Sequence, residues 1–467
     1  MNPARLLSRV LVAAALFASP AAVPAATPVP ATPNASPPSS DPKPPEVSPE
    51  EIFTALCRAL RENYPMLELT GWKEAWVQEF STRLRAAPDR AAAFALMEEL
   101  VCRLNDYHTR LSWPGRPRLL APLLDAEPVL LSADNNGPRA VWDERPPLEM
   151  PSLHGLTIAV TFAPAGSEAQ VGDEILAIDG LPVAEALAQS WRRAVGSSAA
   201  GKLRSALDRA LAGPPSTTLR LQVRRGSNPP AGETAAITAP RGRRPVEDQL
   251  SSREVEGVPV LRISHWGTRE GTGLRDRFDA ELERWRNRPG LILDVRGNGG
   301  GSDGLAEEVM GRFLRAPVIA SISFQRRVPE QTFGRFVSMA KPRGPWSYEG
   351  RVAVLTDEGS MSACEHFVSG MIEAGALACG TPTSGACGWI RTVELPGGVR
   401  LNVSRTYPLH TGGIPSPLLG IPPHLWAPRT LADVRAGRDT ALAAALRWVQ
   451  GTAPLPLRLQ PVAPLSR

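Results

Sequence analysis

Lysine is scarce in this chain of 467 residues, occurring only at Lys43, Lys73, Lys202 and Lys341. Histidine (6) and cysteine (5) are also few, and none of them pair at zinc-site spacing, so no metal centre is expected. No basic run is interleaved with aromatics, and the net charge of +5 is small for this length; both argue against nucleic-acid binding. Beyond the N-terminus no stretch reaches the ~20 apolar residues of a membrane helix. The glycine-rich stretch at 290–301, GLILDVRGNGGG, lacks the Lys-Ser/Thr ending of a phosphate-binding loop. Nucleotide binding is therefore a poor reading, and no cofactor is expected.

What is present describes an ordinary soluble globular chain, with 43% hydrophobic and 21% charged residues. Its length allows two or three domains. Arg5 and Arg9, a short apolar core from Val10 to Phe17, and small residues to Ala26 form a secretory signal pattern. The expected location is periplasmic or secreted, with a retained anchor as the alternative. The signal is read as 1–25, and residues 26–47, rich in Ala and Pro, as an extended linker. Export permits disulfides. Cys57 and Cys102 could pair, as could two of Cys364, Cys379 and Cys387, leaving one over.

Ser48-Pro-Glu-Glu51 reads as a capped helix start. With helices at Trp72 to Leu84 and Ala91 to Leu104, it makes 48–115 a small helical domain. In 116–245, Val171-Gly-Asp-Glu-Ile-Leu-Ala-Ile-Asp-Gly180 resembles the strand and turn of PDZ domains. That resemblance implies peptide capture by strand addition, or packing against the core alone. From 246 to 467, strands alternate with helices to about residue 380, an α/β pattern.

Within that core, Val352 to Leu355 is a short strand, Thr356 to Ser362 a small-residue turn, and Ala363 to Ala374 a helix with Phe367, Met371 and Ile372 at buried spacing. Ser362 then sits at a helix N-terminus, where free N–H groups suit a developing oxyanion. The bland reading is that Ser360 or Ser362 is an N-cap.

Two segments together, DVRGNGGG (294–301) and GSMSACE (359–365), resemble the S41 family of serine peptidases: the C-terminal processing proteases, tricorn and retinoid-binding-protein repeats. GTPTSGA (380–386) resembles the loop that follows in the family. The resemblance implies a crotonase/ClpP-like α/β core, Ser362 as nucleophile, and an oxyanion site made by the Ala363 N–H and one from Gly299-Gly300. The processing proteases carry a dyad lysine in that loop, where this chain has Ala386. The tricorn-like branch uses a histidine in a segment matched by Leu104-Asn-Asp-Tyr-His-Thr-Arg-Leu111, which names His108 as base. Asp106 would hold the local backbone, and Tyr107 and Glu365 are supporting candidates.

The late glutamate of that branch has no match in Ser416 to Gly420, and His424 stands where the family usually has Asp. His366, one helical turn from Ser362, is the rival base. The resulting expectation is an exported serine endopeptidase acting on peptides or unfolded proteins. The alternative is a pseudoenzyme that binds peptides through its PDZ-like domain and cleft. An acyl-CoA enzyme is disfavoured by export and by the serine motif.

Overall fold

The computed structural model describes residues 47–452, apart from 69, 133–148, 154, 227–232, 243–246, 269–272, 328–331 and 411–418. The signal and linker readings, and most of the Ser416 to Gly420 stretch, lie outside the described residues.

Ser48 caps helix α1 (Pro49–Asn63), its Oγ accepting the Glu51 N–H at 3.2 Å. Asp89 does the same for α3 (Arg90–Cys102) through Ala92, and α2 (Glu74–Arg85) lies between them in sequence. Leu56, Phe80 and Met97 bury the inner faces of these helices. Their apolar core does not stop at residue 115. It includes Leu111 on β1 (Arg110–Ser112) and also Leu395, Val399, Leu401 and Val403. The last four belong to β15 (Ile390–Leu395) and β16 (Val399–Ser404), which form one antiparallel sheet with β1. Residues 49–112 and 390–404 are thus joined in one layer, and the motif around His108 enters that sheet.

Next comes an antiparallel sheet of β2 (Asp125–Leu130), β3 (Leu156–Phe162), β4 (Glu174–Ile178), β6 (Thr218–Arg224) and β7 (Thr234–Pro240), in that order. The two-residue β5 (Leu181–Pro182) pairs with β4. In β6 buried and exposed residues alternate, as a sheet with one covered face requires. The cover is α4 (Val183–Trp191) and α5 (Ala199–Leu211), through Leu187, Trp191, Leu203 and Leu207. Helix α5 has no counterpart among the elements read from sequence.

The core sheet runs β18 (Leu425–Trp426), β14 (Leu377–Gly380), β13 (Arg351–Thr356), β10 (Gly290–Asp294), β9 (Val258–Ile263), β8 (Leu250–Val255). All neighbours are parallel except β8 with β9. Both faces are covered, which is why these strands read as unbroken apolar runs. Leu291 and Leu293 pack with Phe278, Met310 and Phe367 of α6 (Leu274–Arg284), α7 (Asp303–Met310) and α8 (Ala363–Glu373). Ile292, Ala353 and Leu355 face Ala445 and Trp448 of α10 (Thr440–Val449). The short α9 (Leu431–Arg435) precedes α10 and buries Leu431 and Val434.

The strand–helix alternation is interrupted by a long hairpin, β11 (Val318–Arg327) and β12 (Thr332–Ala340), which β17 (Thr406–Leu409) extends to three strands. All five cysteines are buried, and none forms a disulfide among the described residues. The expected pairings are not made: Cys364 and Cys379, for example, are packed into apolar clusters on opposite faces of the core sheet.

Candidate active site

In parallel sheets functional groups gather at the carboxyl ends of the strands. Here β10 ends in the glycine run and β13 in the serine turn. Ser362 occupies the N-cap of α8 with φ 60° and ψ −124°, a conformation disfavoured for any residue with a side chain and one that marks strained functional turns. Its N–H donates to the Ala386 carbonyl at 2.8 Å. Ser360 is different: it is fully buried, and its hydroxyl donates to Val295 O (2.9 Å) while accepting the Asp357 N–H (3.2 Å). Ser360 holds the turn, and Ser362 is presented by it.

The glycine run supports the turn from below. The Asn298 carbonyl accepts the Met361 N–H (3.0 Å), and its side chain bridges Ile263 O and the Gly300 N–H. A Cβ at Gly300 would lie 2.6 Å from Ser362 Cβ and 2.8 Å from Met361 O, so only glycine allows this approach. The Gly300 N–H is taken by Asn298 Oδ1, which leaves Gly299 as the donor of the Gly299-Gly300 pair. Among the described residues the Gly299 and Ala363 N–H groups have no acceptor.

Glu365 is fully buried beneath the turn. Its carboxylate accepts from Thr383 Oγ1 (2.6 Å) and the Gly385 N–H (2.8 Å), with a long contact to the Ser362 N–H (3.4 Å). Burial pushes its pKa up to about 7 against the opposing effect of these donors. It ties the 383–386 loop to the serine turn.

His108 is buried, and its Nδ1 has no hydrogen-bond partner among the described residues. Asp106 holds the local backbone, accepting from the His108 N–H (3.0 Å) and Thr109 Oγ1 (2.6 Å). Thr109 Oγ1 in turn accepts the Ser404 N–H, and Tyr107 N–H reaches Ser197 Oγ at 3.4 Å. The Tyr107 ring lies under the Arg110 guanidinium and edge-on to the His108 imidazole. Burial lowers the His108 pKa, so the ring is neutral near pH 7; Asp106 and Asp303 oppose the shift.

Asp303 lines a cleft of about 380 Å³ together with Ser362, His366, Cys387 and Trp389. His108 is not among its lining residues, and no hydrogen bond joins Ser362 Oγ to either imidazole. His366 Nε2 instead lies 2.9 Å from Glu307 Oε1, which also accepts from Ser338 Oγ.

Other motif residues have structural work. Arg296 pairs with Asp294 and with Asp439. His424 Nδ1 accepts the Ala378 N–H at 3.0 Å, using its ring to close the edge of the core sheet. Lys202, on α5, is buried and its Nζ donates to Asn105 Oδ1 at 2.7 Å, three residues before His108. Burial pulls its pKa down to about 8. Glu307, Asp303, Asn298 and Thr383 were not singled out by sequence reasoning. The only signal for the first two was an acidic i,i+4 pair opening a helix after the glycine run.

Residues 257–425 match peptidase family S41. Mature CPAF shares the fold with a TM-score of 0.63 at 16% identity, over 87% of this chain and 99% of that one. Mature CPAF complexed with lactacystin gives 0.61 at 15%, over 86% and 97%. The photosystem II D1 C-terminal processing protease gives 0.50 at 16%, over 88% and 99%. At these identities the likeness is one of fold: a mixed α/β architecture with several sheets. The match to peptidase family S41 thus covers residues 257–425, which span the strands from β9 to β18 and include the serine turn.

Proposed function

We propose that the chain is an exported serine endopeptidase acting on peptides or unfolded proteins, with Ser362 as nucleophile. One observation carries the reading: Ser362 is held at φ 60° on a strand–turn–helix elbow at the carboxyl end of the core sheet, beside a glycine run. A structural cap has no need of that strain. Ser362 Oγ attacks the peptide carbonyl and passes its proton to a base. The tetrahedral oxyanion is met by the Ala363 and Gly299 N–H groups, each such donor being typically worth ~3 kcal/mol of barrier. The base returns the proton to the leaving amine, and water then hydrolyses the acyl-enzyme.

His108 is the proposed base. Its burial keeps it unprotonated near neutrality, and Asp303, a cleft residue, acts on it electrostatically. His366 is the second reading, favoured by its place in the Ser362 cleft and its carboxylate partner. The buried Lys202 is read as a support for the Asn105 loop. The sheet β2-β3-β4-β6-β7 with its helices is proposed as the PDZ-like peptide-binding module.

Purified mature chain incubated with casein tests this, with Ser362→Ala, His108→Ala and His366→Ala alongside. Loss of cleavage in the serine variant and in only one histidine variant identifies nucleophile and base. No cleavage by wild type, with peptide binding retained, would establish the pseudoenzyme instead.

A further inference from the structure

The cleft beside Ser362 has a composition of its own. One wall is the inner face of the β11–β12 hairpin, where Ser321, Ser323, Phe336 and Ser338 share a side by strand register. The other is the segment from Cys387 to Ile390, with the Trp389 and Phe336 rings 5.8 Å apart. Its volume of about 380 Å³ falls in the range of sites that enclose a small ligand or a long side chain.

The polar groups of this cavity are mostly acceptors. His366 Nε2 faces the Glu307 carboxylate at 2.9 Å. A carboxylate only accepts, so Nε2 carries a proton, and Glu307 itself lies behind the lining residues. Ser338 spends its hydroxyl proton on the same Glu307 oxygen, at 2.5 Å, which leaves its lone pairs free. Asp303 lines the cavity with a carboxylate that accepts the Trp389 Nε1–H at 3.3 Å, and among the described residues no lysine or arginine lines it. Such a site suits a side chain that is all donor and positively charged. The aromatic and aliphatic walls suit the methylene stem below that charge, and the two rings suit the cation.

We infer that this cavity receives the substrate side chain adjoining the scissile bond, and that it selects lysine or arginine there through Asp303. The inference rests on Ser362 being the nucleophile, but the preference for a cation can be measured apart from hydrolysis.

Two peptides identical except for arginine or leucine at the cleaved bond are compared by kcat/KM in wild type, Glu307→Gln and Asp303→Asn. Asparagine still accepts from Trp389 Nε1, so the pocket keeps its shape. The arginine peptide should be preferred by ~10-fold in wild type, and the ratio should fall towards unity in Asp303→Asn but not in Glu307→Gln, whose side chain lies outside the lining. Calorimetry with benzamidine supplies the readout that needs no catalysis. Binding is expected in wild type and in Ser362→Ala, and should be weakened in Asp303→Asn. Cleavage without arginine preference, together with no benzamidine binding, overturns the pocket and leaves the peptidase. Benzamidine binding that depends on Asp303, without hydrolysis, supports the pocket and removes the Ser362 reading. Absence of both removes both.

Discussion

Arg296 and Asp439 lie 143 positions apart and are joined by two parallel hydrogen bonds of 2.9 and 2.8 Å. The same guanidinium takes both oxygens of Asp294, and Asp439 also caps α10 through the Leu442 N–H. The arginine of DVRGNGGG is therefore a clamp between the end of β10 and the C-terminal helix. It sets the strand end from which the glycine run departs.

Removing one partner from such a largely buried pair leaves the other charge uncompensated. Arg296→Ala should lower unfolding stability by about 3 kcal/mol, read from urea denaturation. The clamp also has a pH signature. Burial opposes ionisation of Asp439, but Arg296 and the α10 cap hold its pKa below the usual value. Its contribution is present above the unfolded carboxyl pKa and is lost as pH falls through the depressed one. Asp439→Asn should be less stable than wild type at pH 7, and the gap should close in acid.

Ser362 and Ser360, two residues apart, should respond oppositely to substitution. Ser360→Ala removes a buried hydroxyl that bonds Val295 O and the Asp357 N–H, and should cost roughly 1–3 kcal/mol. Ser362→Gly abolishes hydrolysis but relieves the strained φ, and should raise stability by about 1 kcal/mol. Thermal melts of the two variants decide whether strain is stored at the nucleophile.

The serine turn was legible because it is local: a β-branched and aliphatic strand, a small-residue turn and a helix-period run follow one another within some twenty residues. Helix α1 was legible through its cap. What escaped is largely non-local. Helix α5 is amphipathic and capped by Ser198, a local signal that was passed over, but its role in carrying Lys202 to Asn105 spans 97 positions. The hairpin β11–β12 was hidden because its cleft face alternates serine with phenylalanine, so polar residues sit where an apolar row would announce a strand. Glu307 acquires meaning only when that hairpin brings Ser338 to it and α8 brings His366. The Asn298 side chain folds back onto the Gly300 N–H, a bond between near neighbours that residue spacing does not reveal.

Glu365 gives a pH prediction near neutrality. Burial raises its pKa from the ordinary value to about 7, while Thr383 and Gly385 pull the other way. Between the unfolded value and 7 the folded chain holds the extra proton, so this group's stabilisation is full below the unfolded pKa and declines as pH rises to 7. Wild type should lose roughly 2–4 kcal/mol relative to Glu365→Gln across that window. Thr383→Val, lacking a donor to the carboxylate, should move the midpoint upward. Unfolding stability measured at successive pH values tests both.

Gly300→Ala tests how closely the glycine run must approach the nucleophile. Its φ of 91° disfavours a side chain, and the added Cβ would meet Ser362 Cβ at 2.6 Å and Met361 O at 2.8 Å. Both contacts are with groups fixed by α8 and by the Asn298 bond to the Met361 N–H, so neither can yield without moving the elbow. Gly299→Ala meets nothing within 4 Å and is the matched control for glycine replacement. Gly300→Ala should cut kcat by at least ~100-fold, since small displacements at a reacting centre cost about that much. Gly299→Ala should stay within roughly tenfold of wild type, its N–H being retained. Equal losses in the two variants would mean that the run acts through its flexibility and not through its contact with Ser362.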